Sequence, residues 1–204
     1  MMLLYVWNHT TEEDKDLVDG VMADTPSDLL VAVLNKACTS LLKRGLYRNY
    51  TGRETRVHGV RGKMLFSASL RHGTLQQGKS ICVLDEFVED IPLNQIIKST
   101  LTLIQKSKNV ESKQRTSSRL IRNKFRNVQE IRLSKKVFSS VKIHRNNRTY
   151  RIIIHICELL FFSLKPLSQT GQYEFIDFTK SQDRLAILYE KFLLNFYKSC
   201  ILDI

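Results

Sequence analysis

Five glycines crowded between residues 52 and 78 (Gly52, Gly59, Gly62, Gly73 and Gly78) constrain this chain more than any other feature. Glycine weakens helix interiors and opens the left-handed turns that other residues avoid. The intervening pieces, such as "TRVHGV" and "KMLFSASL", are short and bounded by those turns, which predicts β-strands and hairpins. On both sides the apolar residues return to helical spacing. The expected fold class is therefore α+β: a helical body with an inserted β-hairpin region.

The first strong helix signal is Thr25 as cap, Pro26 at the first position and Asp28 three residues after the cap. Leu29, Leu30, Val33, Leu34, Ala37, Leu41 and Leu42 follow at helical spacing until Gly45. Before it, residues 1–7 read as the end of an apolar helix and residues 10–24 as an acidic loop. After the glycine-rich part, Asp90 is the expected cap of a helix with Leu93, Ile96, Ile97, Leu101 and Ile104 on one face. A basic helix over "ESKQRTSSRLIRNKF", a core helix over residues 150–164 and a short strand in "GQYEFIDFT" come next. Residues 181–202 carry an amphipathic helix pattern. These signals divide the chain into N-terminal helices (1–46), a basic β-hairpin or finger region (47–84) and a helical body (85–204).

Charge narrows the partners. The 204 residues carry 32 Lys and Arg against 20 Asp and Glu, a net charge of +12. Residues 43–79 hold nine Lys or Arg against one acid, Glu54, and residues 98–151 hold sixteen against Glu111 and Glu130. Such a balance favours an anionic partner. The most apolar run, residues 152–162, contains His155 and Glu158 and falls short of the about 20 residues a membrane span needs. No membrane is expected, and the location is expected to be cytoplasmic. Cys38, Cys82, Cys157 and Cys200 form no C-x-x-C pair and read as buried reduced thiols.

Residues 73–80, "GTLQQGKS", spell the G-x-x-x-x-G-K-S pattern of a phosphate-binding loop. That chemistry needs a helix directly afterwards, whose free amides and dipole hold the phosphates. Here "ICVLDEFVED" follows, β-branched and apolar and then acidic. A magnesium-binding strand would also need a separate strand, reached by a crossover of about a dozen residues, whereas Asp85 follows Ser80 almost at once. The pattern is a coincidence of turn residues.

Glu111-Ser112-Lys113 is the E-x-K of metal-dependent nucleases, but it sits in "SKNVESKQRTSS", which has no apolar face to bury as a strand. It reads as a solvated helix start. No Ser/His/Asp or Cys/His arrangement is supported by spacing, so neither a catalytic nor a metal site is expected.

The segment "LDEFVEDIPLNQIIKSTL" resembles a signature of McrC, the accessory and nuclease subunit of the McrBC modified-cytosine restriction system. The matching residues are Asp85, Glu89 with Asp90, Asn94 and Lys98. "MMLLYVW", "LLVAVLNKACTSLLKRGLYRNY", "GVRGKMLFSASLR" and "YEFIDFTKSQDRLAILYEKFLLNF" resemble other family segments, in family order. Gln95 departs from the Arg that the family places after the Asn. The family also continues into a D…(D/E)-x-K nuclease domain where this sequence reaches "CILDI".

The resemblance implies a subunit that inserts a finger-like region into the pore of a hexameric McrB-type GTPase and stimulates GTP hydrolysis. McrB recognises the methylated cytosine. GTP and magnesium would then belong to the partner ring, with no cofactor in this chain, and DNA would be reached through the complex. A separate nuclease-domain polypeptide is a further expected partner. Arg61, Lys63 and Arg71, in the segment matching the family's hairpin, are the candidates for contact with the GTPase. Asp85, Asp90, Asn94 and Lys98 are expected to be structural. The alternative is a stand-alone basic DNA-binding protein, built on the cations of residues 98–151.

Overall fold

The computed structural model describes residues 12–144, 147–166, 173–175, 190 and 193–194. The patterns at residues 1–7 and, apart from Glu190, Leu193 and Leu194, at 181–202 lie outside them. The chain divides into two compact units, one formed by the residues up to Leu46 and from Pro92 onward, the other by Tyr47–Ile91.

The first unit is a helical body. Its elements are α1 (Glu12–Val18), α2 (Pro26–Arg44), α4 (Pro92–Gln105), α5 (Ser112–Arg122), α6 (Lys135–Ser140) and α7 (Tyr150–Ser163). Strands β4 (Leu164–Pro166) and β5 (Tyr173–Phe175) pair antiparallel, and β5 also bridges to Ser107. The core forms where α2 and α4 each pack against α5 and α7: buried there are Val31, Leu34 and Cys38 of α2, Ile96, Ile97, Leu101 and Ile104 of α4, and Ile153, Ile156 and Leu160 of α7. All of these are nearly inaccessible to water, each removing an apolar side chain worth roughly 1.5–3 kcal/mol on burial.

Polar residues set how the helices meet. The Thr25 hydroxyl accepts from the Asp28 N–H at 3.1 Å and donates to the Asp28 carboxylate at 2.7 Å. The second carboxylate oxygen accepts from the Glu111 N–H at 2.8 Å, linking the start of α2 to the start of α5. Asn35 donates to Gln114 and accepts from the Ser118 hydroxyl at 2.9 Å, a second tie about two turns further along α2.

Residues 12–18 form α1 rather than the loop expected from their acidity. Lys36 of α2 explains it: its Nζ donates to the Asp16 and Asp19 carbonyls at 2.6 and 3.0 Å, satisfying acceptors that a helix end leaves open.

The second unit is an antiparallel ribbon. Strands β1 (Asn49–His58) and β3 (Lys79–Val88) pair over ten residues, from Asn49 opposite Val88 to His58 opposite Lys79. A two-residue strand, β2 (Lys63–Met64), adds to the other edge of β3. The rest of the expected strand in "KMLFSASL" is instead helix α3 (Phe66–Arg71), followed by a 3-10 turn, Thr74–Gln77. Ser69 is the reason: fully buried, it donates to the Leu65 carbonyl and accepts from the Ile81 N–H at 2.9 Å, clamping a helical turn onto β3. With Thr74, Ile81 and Cys82 it makes the unit's small core. An isolated two-stranded ribbon is marginal in water, so this cap stabilises one end. At the other end the exposed rings of Tyr50 and Phe87 pair across the strands with centroids 5.0 Å apart.

Candidate functional site

The chain enters the ribbon at Asn49 and leaves it at Val88, two residues that face each other. Residues 59–78 therefore join β1 and β3 at the opposite end and form the tip. All three cations singled out from the sequence lie in this segment. Arg61 stands in the turn between Gly59 and Gly62, Lys63 in β2 opposite Val83, and Arg71 in the last turn of α3. All three are exposed. Residues 55–84 add Arg56 and Lys79 and contain no Asp or Glu.

Glycine is needed at one point to shape this tip. Gly62 has φ +65°, and a Cβ there would lie 2.6 Å from the Val83 carbonyl oxygen. No other residue lets β2 approach β3 so closely, and that approach fixes where Arg61 and Lys63 emerge.

The tip is not only charged. Val60, Phe66 and Leu70 are 63%, 59% and 56% exposed, the last two one turn apart on α3. Sequence reading missed this apolar patch, since a strand alternation would have put these side chains on a buried face. The i, i+4 spacing of Phe66 and Leu70 was the available signal.

The G-x-x-x-x-G-K-S pattern also falls in this unit. Gly73 and Gly78 flank the 3-10 turn in left-handed conformations, and Lys79 and Ser80 begin β3. The helix that phosphate binding requires is replaced by a strand. The Ser80 hydroxyl is buried and donates to the Gly59 carbonyl, closing the ribbon end.

The four signature residues expected to be structural fall on both units. Asp85 is exposed in β3 opposite Gly52. Asp90 stands two residues before α4, which starts at Pro92, so it is not in the capping position directly before the helix. Asn94 is fully buried, and its side-chain oxygen accepts from the Tyr150 hydroxyl at 2.7 Å, joining α4 to α7. Lys98 donates from Nζ to the Val128 carbonyl at 2.6 Å. Asn94 and Lys98 thus tie α4 to α7 and to the segment that carries Val128.

Glu111, the acid of the E-x-K, is exposed at the N-terminal flank of α5 and not on a strand. Among the described residues no three His, Cys, Asp or Glu side chains are placed to hold a metal ion, and no helix is long and apolar enough to cross a membrane. Cys38 and Cys157 are buried and unpaired; burial above all pushes the Cys157 thiol up to about 12.

Residues 1–196 match the family model of the McrBC 5-methylcytosine restriction system component. The chain belongs to that family. It is 30% identical over 195 residues to the type IV methyl-directed restriction enzyme EcoKMcrBC of Escherichia coli K12, covering 96% of this chain and 56% of the relative. Its fold resembles a chain in the cryo-EM structure of the Thermococcus gammatolerans McrBC complex, with TM-score 0.65, 21% identity, and coverage of 96% of this chain and 55% of that one. A half-complex of T. gammatolerans McrB AAA+ hexamers with bound McrC gives the same TM-score and identity, covering 95% and 44%. The McrC-type resemblance read from the segment order is borne out, as is the α+β class. The chain spans about half the length of the relatives it matches.

Proposed function

We propose that this chain is the ring-binding part of an McrC-type subunit, and that it inserts the tip of the Tyr47–Ile91 ribbon into the pore of an McrB-type hexameric GTPase and stimulates GTP hydrolysis. GTP and its magnesium sit in the ring, and DNA carrying modified cytosine is reached through the assembled complex.

One observation carries this reading: a ten-pair ribbon that ends in a tip rich in cations and free of acids. A ribbon this long sets its tip up to about 30 Å from its own base at roughly 3.3 Å per residue, a length suited to a pore. Cationic side chains are drawn to acidic or polar pore loops and hasten docking. Once seated, an arginine can stabilise charge in the phosphoryl-transfer transition state or orient groups around the attacking water. Arg61 and Arg71 are the residues for that role, with Lys63 beside Arg61 in sequence. Val60, Phe66 and Leu70 supply an apolar surface for the surrounding pore wall.

The test is assembly. A cognate McrB-type ring, formed with a non-hydrolysed GTP analogue and mixed with this chain, should give a larger particle by light scattering. Phe66→Ser/Leu70→Ser should weaken the complex and leave the fold of the body intact. A ring that never takes up the chain refutes the proposal.

A further inference from the structure

Residues 123–134, between α5 and α6, form neither helix nor strand, yet they are held tightly. Phe125, Val128 and Leu133 are buried along the segment. From α4, Lys98 Nζ donates to the Val128 carbonyl and the Ser99 hydroxyl accepts from the Ile131 N–H at 2.8 Å. Arg122 donates to the Thr102 hydroxyl at 2.8 Å and to the Glu130 carboxylate at 3.0 Å. Lys98 and Ser99 thus hold the irregular backbone directly, and Thr102 orients the Arg122 side chain that pairs with Glu130.

What this backbone displays is positive. Lys124, Arg126, Arg132, Lys135 and Lys136 are exposed, and none of their charged groups has a hydrogen-bond or ion-pair partner among the described residues. The segment's single acid, Glu130, is already paired with Arg122. Helix stability does not account for the arrangement. Lys135 and Lys136 occupy the first turn of α6, where the helix dipole favours acids and opposes cations.

We propose that residues 124–136 are a binding strip for the phosphate backbone of duplex DNA, carried by the body and independent of the ribbon tip. A preformed row of unpaired cations neutralises phosphates, releases their counterions and loses little entropy on binding, because its backbone is already fixed. Contacts of this kind are made to phosphates, so they position DNA without selecting sequence. Lys98 is a positioning residue here, since it holds the Val128 carbonyl and not the DNA. The choice of DNA among polyanions rests on the restriction-system reading above. The strip's test uses neither ring protein nor GTP, so its failure and the failure of that reading are separable.

The experiment is fluorescence anisotropy of a labelled, unmethylated duplex DNA titrated with the full chain at several salt concentrations. The chain should bind, with affinity falling steeply as salt rises. Lys124→Ala/Arg126→Ala/Arg132→Ala should weaken binding about 100-fold near 0.1 M salt and make the log–log salt slope shallower by about 2–3, at roughly 0.9 per phosphate contact. Arg61→Ala/Arg71→Ala should bind DNA like the unaltered chain. Equal loss in both variants, or an unchanged affinity in the first, overturns the strip. Tighter binding to duplex RNA, or full competition by polyglutamate at equal charge, overturns the assignment to DNA.

Discussion

The buried side-chain oxygen of Asn94 accepts a hydrogen bond from the Tyr150 hydroxyl at 2.7 Å, across the contact between α4 and α7. The two residues are 56 apart in sequence. Their pairing, together with the Thr100–Cys157 hydrogen bond, favours one register of the two helices. Tyr150→Phe leaves a buried acceptor short of a donor and should cost about 1–3 kcal/mol in urea unfolding. Asn94→Ala should cost at least as much. The double variant should lose less than the sum, and strict additivity would show that the bond contributes nothing.

Asp28 joins two helix starts with one carboxylate, capping with Thr25 and accepting from Glu111. Asp28→Ala should destabilise the body by about 1–3 kcal/mol, and Asp28→Asn should recover part of that, because an amide oxygen can still accept. Chemical denaturation of the three proteins measures it.

Gly62→Ala should strain the tip. The backbone at φ +65° disfavours a Cβ by about 1–2 kcal/mol, and the Val83 carbonyl already occupies its place. Hydrogen exchange should quicken at Lys63 and Met64 in β2 and stay unchanged in the body helices. Unchanged protection at β2 would refute the close approach.

The buried thiols make stability fall at high pH. In an unfolded chain they ionise near the ordinary value of 9.0, whereas burial raises Cys157 to about 12, against a partial lowering by a hydrogen bond from Thr100. Cys38 is raised too, by burial first and by the neighbouring Cys157 second. The unfolded state therefore sheds protons first, and the thiols' contribution is whole below pH 9 and lost as pH rises toward 12. In Cys157→Ala the decline between those values should be shallower by thermal melting; an identical slope contradicts the assignment.

Much of the body was legible because its signals are local. Thr25, Pro26 and Asp28 mark the start of α2 as expected, and Leu93 through Ile104 give α4's buried face. The tip was less so. Whether "FSASL" became strand or helix was decided by Ser69 reaching Ile81, a tertiary contact that no alternation in the segment encodes. Likewise Lys36 determines α1 from 20 and 17 residues away, through carbonyls that any sequence would offer. Asn94 and Lys98 could be singled out by family resemblance, but their partners, Tyr150 and Val128, could be found only once the helices were packed.

The central claim is that the ribbon tip works on a partner's GTPase site. GTP turnover by a cognate McrB-type ring, with and without this chain and with its Arg61→Ala/Arg71→Ala variant, tests it most directly. The account predicts faster turnover with the chain and loss of most of that stimulation in the variant, with binding to the ring retained. Turnover that the chain leaves unchanged while bound to the ring would contradict it.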